Sequence, residues 1–101
     1  MVAELSSMSF TVDGDVFTVS GTLVLKDDSG NVLYQEPVSA KGNFRETNFY
    51  DVVKGRLTAV CQGIVDAYNA KMQQVSDALG VATPQEGLDK LAQDVLAALE
   101  V

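Results

Sequence analysis

The first forty residues alternate between apolar and polar side chains, and the next forty do not. Met8, Phe10 and Val12 are interleaved with Ser9, Thr11 and Asp13, the period of a strand with one face buried. Asp13-Gly14-Asp15 reads as a hairpin turn, because glycine takes a positive φ without steric cost. The return strand alternates again, with Phe17, Val19, Leu23 and Leu25 on one face and Thr18, Ser20 and Thr22 opposite. Gly21 interrupts the apolar face, which marks a bulge or a close approach of backbone. A second turn, Asp27-Asp28-Ser29-Gly30-Asn31, leads to a third strand in which Val32, Tyr34, Val38 and Ala40 share one parity. Pro37 cannot donate to a ladder, so this strand is expected to lie at an edge or to bend there.

After a polar connection from Lys41 to Thr47 the period changes. Phe49, Val53, Leu57, Val60, Ile64, Tyr68, Met72, Val75 and Leu79 recur at intervals of three or four, one face of a long helix. Gly80 ends it. Thr83-Pro84-Gln85-Glu86 has the form of a capping box, with proline at the first helical position. A second helix follows, with Leu88, Leu91, Val95 and Leu99 turned inward. The expected fold class is α+β: a three-stranded antiparallel β-meander over 6–41, one long amphipathic helix over 48–79 and a shorter C-terminal helix over 84–99. At 101 residues the chain reads as one domain, 1–101.

Composition then narrows the chemistry. Histidine is absent, which removes the commonest general base and every dyad or metal site built on imidazole. No catalytic, cofactor-binding or metal-binding residue is assigned, and no enzyme activity is expected. Cys61 is the single cysteine; it falls among Val60, Ile64 and Val65 and reads as a buried structural thiol. The acidic turns lack the spacing and closing glutamate of a calcium loop. Arg45, Lys54 and Arg56 cluster near the start of the long helix, where local ion pairs with Glu46 and Asp51 compete with any anion.

A net charge of −7, from 14 acidic and 7 basic residues, disfavours direct binding to nucleic acid or to an anionic membrane. No run approaches the ~20 apolar residues of a membrane span. Glu4 stands where a leader peptide carries basic residues. The expected location is the cytoplasm, or a virion.

One pattern stands apart. Gly55, Ala59, Gly63, Ala67 and Ala70 recur at intervals of four, four, four and three, a ridge of small residues beside the apolar stripe. Glycine within a helix costs about 1 kcal/mol relative to alanine, so a close neighbour is expected there, either inside the chain or on another subunit. About 32 helical residues span ~48 Å, whereas strands of ~10 residues reach ~33 Å, so the sheet alone cannot cover the helix. The chain therefore reads as a non-catalytic protein-binding or assembly module, self-associating, of the type found in larger particles such as a phage virion. The ridge is its candidate interface. The alternative is an acidic inhibitor that occupies a basic, nucleic-acid-binding surface of a partner enzyme, for which strong salt dependence of binding would be the sign.

Overall fold

Three antiparallel strands in the order β1-β2-β3 form the sheet: β1 (Val2–Asp13), β2 (Val16–Lys26) and β3 (Val32–Asn43). The long helix α1 (Phe49–Leu79) follows, then a single 3₁₀ turn (Pro84–Gly87) and α2 (Leu88–Ala98). This computed structural model describes residues 1–100, without the side chain of Gln85. The architecture is the expected α+β arrangement. Residues 1–65 and 66–101 form two compact units.

In the first unit, β1 and β2 close on the pair Asp13↔Val16. Gly14 takes φ 59° at the first position of the two-residue turn, where a type II′ hairpin requires it. The ladder slips between Ser6 and Ser9, where Ser7 takes φ 55° and two residues of β1 oppose one of β2. That one residue is Gly21. The Met8 sulfur lies where a Gly21 side chain would begin, so the bulge and the close approach expected of this glycine are the same feature. Asp27 organises the second turn. One carboxylate oxygen accepts the Ser29 and Asn31 N–H groups at 2.9 Å, and the other accepts the Asn31 amide at 3.1 Å. These bonds, those from Asn31 foremost, hold its pKa below the ordinary value.

The strand β3 is an edge, as Pro37 requires, and runs two residues past the expected boundary to Asn43. Gly42 therefore lies in the strand and not in the connection. Its bare α-carbon faces Val53 of α1 so closely that a β-carbon would meet the Val53 Cγ2 methyl. Here α1 rests on the sheet. Buried apolar side chains come from β2 (Leu23, Val24, Leu25), β3 (Val38, Ala40) and α1 (Val53). None comes from β1, all twelve of whose residues are exposed.

In the second unit, α1 ends in a Schellman motif. Gly80 takes φ 68°, its N–H bonds to the Asp77 carbonyl, and the Val81 N–H bonds to the Ser76 carbonyl at 3.1 Å. Leu79 packs against Gly87 so tightly that no side chain fits there. Two expectations fail in this unit. The segment read as a capping box forms the 3₁₀ turn, and α2 starts four residues later with Gly87 as its N-cap and no side-chain cap bond. The stripe Leu88, Leu91, Val95 and Leu99 is exposed, and α2 buries no residue. Packing in this unit closes through Leu79 on Gly87, at the helix start, and leaves the stripe uncovered.

Candidate interaction surface

All five residues of the small-residue ridge are exposed. A β-carbon built on Gly55 or Gly63 meets no atom within 4 Å. Within the first unit, no described side chain is the close neighbour expected there. Along the apolar stripe beside the ridge, Val53 is buried, Phe49, Leu57 and Ile64 are half-buried and Val60 is exposed. The stripe is buried at Val53, where α1 rests on the sheet, and breaks to the surface at Val60.

Between the β1–β2 side of the sheet and residues 49–65 of α1 lies a groove of about 820 Å³. Its walls include Leu5 and Met8 from β1, Phe17 and Leu23 from β2, and Leu57 and Val65 from α1. Polar residues on the walls are few: Glu4, Lys54, Thr58 and Gln62, besides the Tyr50 phenol. α1 is seated on β3 at Gly42, against Val53, and the groove opens on the side of β1 and β2. Cys61 lines this groove and is half-buried, which corrects the reading of a fully buried thiol. Burial raises its pKa, so the unreactive thiol dominates at neutral pH.

The chain's four phenylalanines meet at the hairpin end of the groove. Phe17 is the hub, with ring centroids 5.6 Å from Phe10, 5.8 Å from Phe44 and 6.0 Å from Phe49; Phe44 and Phe49 are 5.0 Å apart. Most of these pairs are edge-on, the preferred geometry for aromatic contacts. The cluster joins β1, β2, the connection and the first turn of α1. Sequence periodicity could not show it, because its members belong to four segments. Phe10 remains 66% exposed, so the cluster continues to the surface at β1.

The basic residues do not converge. Arg45 pairs with Asp15 at 2.6 Å, Arg56 donates to the Lys41 carbonyl at 2.7 Å, and Lys54 lines the groove. The partners are Asp15 and a backbone oxygen, where the sequence pointed to Glu46 and Asp51. Among the described residues, no group of three or more Cys, Asp or Glu side chains is placed to hold a metal ion, and no helix is long and apolar enough to cross a membrane. No protein-family model, curated protein or solved structure matches the chain.

Proposed function

We propose that the chain is a non-catalytic assembly module that associates with copies of itself, as a repeating component of a larger particle such as a virion. The observation that carries this reading is the apolar surface left bare in the first unit. Leu5, Met8, Phe10 and Val12 of β1 are all exposed, and Leu5 and Met8 line an apolar groove. Scattered surface hydrophobics are ordinary, but a contiguous patch of this kind marks an interaction site. The ridge supports the same reading. Two glycines in exposed helix positions sacrifice about 1 kcal/mol each with no compensating contact among the described residues of the first unit, and close approach of a second backbone supplies a reason for them.

An environment-sensitive apolar dye tests the proposal. Dye bound per chain should fall as chain concentration rises, because association covers the patch. Constant dye binding from nanomolar to hundred-micromolar chain would contradict it.

A further inference from the structure

The two edges of the sheet differ in kind. Hydrogen bonding alternates along an antiparallel pair. A two-residue hairpin loop closes on a mutually bonded pair, here Asp13↔Val16. Counting back, Thr11↔Thr18 and Ser9↔Ser20 are also bonded pairs. The N–H and C=O groups of Phe10 and Val12 then point away from β2, at the free edge. On the far side, Phe17↔Gly42 is the bonded pair by the same count, so Lys41, Ser39 and Pro37 present their backbone groups outward. That edge is closed. Pro37 has no N–H to offer, and the Lys41 carbonyl is taken by Arg56 at 2.7 Å. Proline and charged side chains are the usual guards of an exposed strand. The β1 edge has neither between Ser9 and Val12.

We infer that β1 pairs with β1 of a second copy, antiparallel across a two-fold axis through Thr11, joining two sheets into one of six strands. The inference rests on the self-association proposed above and names the surface that performs it. In this register Phe10 lies opposite the partner copy's Val12, and each Val12 opposite the other copy's Phe10. Both residues have outward-facing backbone groups, so the two pairs supply four hydrogen bonds. On the groove side, each crossing is an aromatic against a β-branched side chain; on the other, threonine meets threonine at the axis. Both combinations favour cross-strand pairing.

Charge is compatible with this register and disfavours pairing nearer the start of the strand. Glu4 is the one charged residue between Val2 and Val12 and already pairs with Lys26 at 2.9 Å. Pairing centred on Glu4 would set two carboxylates face to face, which is destabilising. Centred on Thr11, the ladder places Asp13 opposite Ser9 and sets no like charges opposite one another. The bulge between Ser6 and Ser9 ends the new ladder on one side and the hairpin turn ends it on the other. A second copy is the occupant that supplies this complementary segment.

Cysteine cross-linking tests it in a Cys61→Ser background. Two Thr11→Cys residues would face each other as a non-hydrogen-bonded pair, about 4.5 Å between α-carbons, within disulfide range. Two Ser9→Cys residues would lie roughly 13 Å apart. Oxidation with copper phenanthroline should give a covalent dimer of Thr11→Cys and none of Ser9→Cys. Val12→Pro removes an outward N–H that β2 does not use, so the hairpin should still form by circular dichroism. Two lost hydrogen bonds per dimer should raise its dissociation constant roughly 5–150-fold. A chain that associates without cross-linking at Thr11, cross-links equally at Ser9, or tolerates Val12→Pro unchanged overturns the strand pairing while leaving self-association intact. A chain that stays monomeric at every concentration overturns both.

Discussion

Gly42→Ala should destabilise the protein although alanine suits a strand better than glycine. The new β-carbon would occupy the space of the Val53 Cγ2 methyl and stand 3.4 Å from the Phe49 carbonyl oxygen. Val53 cannot swing aside, because a β-branched residue in a helix has essentially one χ1 rotamer and this one is buried. Either the helix lifts from the sheet or the strand bends, and overpacking of this kind costs about 1–3 kcal/mol. Against this stands a gain of about 0.5–1 kcal/mol from replacing glycine within a strand. The net loss is therefore up to ~2.5 kcal/mol, which lowers the melting temperature by several degrees in a domain of this size. Urea unfolding, followed by far-ultraviolet circular dichroism, measures it. The informative comparison is the same change in a Val53→Ala background, where the obstructing methyl is gone. There Gly42→Ala should be neutral or stabilising, a coupling between contacting residues. If Gly42→Ala raised stability in the native background, α1 would not rest on Gly42, and the groove that depends on this seating would be wrongly placed.

Gly63 supplies the contrasting case. With open space around it, Gly63→Ala should stabilise the folded chain by up to about 1 kcal/mol, measured by the same unfolding curves. Gly63→Leu should leave the folded monomer intact and weaken association roughly 5–150-fold, the equivalent of a ~1–3 kcal/mol overpacking cost at an interface; loss of the monomer fold would mean that the ridge packs internally. Cys61 should react with a disulfide reagent more slowly in the native state than in denaturant, with a pH midpoint above that of a free thiol, and equal rates would show that the groove does not shield it. Asp27 should titrate below the ordinary carboxylate range by carbon-detected nuclear magnetic resonance. Because its folded pKa is lowered, its contribution to stability is present above the unfolded value and is lost as pH falls through the folded one; a titration at the ordinary value would remove the Asp27 turn from the account.

What periodicity records is local, and this is why the strands and α1 were legible and their cover was not. The alternation from Phe17 to Leu25 and the intervals from Phe49 to Leu79 each report one element's own apolar face. They located α1 to within a residue. They also carried the role of Gly21, since an apolar row broken by glycine requires something to fill the gap, and Met8 fills it. The same logic misled at α2. Leu88, Leu91, Val95 and Leu99 form a proper stripe, but a stripe states only that cover is needed and not that the chain provides it. Gly42 was assigned to the connection because glycine in a polar stretch looks like a turn; its reason is the Val53 methyl eleven residues on. The Phe10–Phe17–Phe44–Phe49 cluster depends on hairpin register and on where α1 begins, neither of which is encoded in any one segment. For the ridge, the intervals named the five residues and left two readings of their neighbour; the open space at Gly55 and Gly63 removes only a neighbour among the described residues of the first unit.

Sedimentation of the unmodified chain over a thousandfold range of concentration is the most direct test of the account. The monomer mass is 10.8 kDa. If the bare face of β1 and the ridge are interfaces, the weight-average mass should climb with concentration to at least twice that value. It should return to the monomer on dilution. A mass that stays at 10.8 kDa up to hundreds of micromolar would contradict self-association and leave the exposed apolar strand without a partner of its own kind.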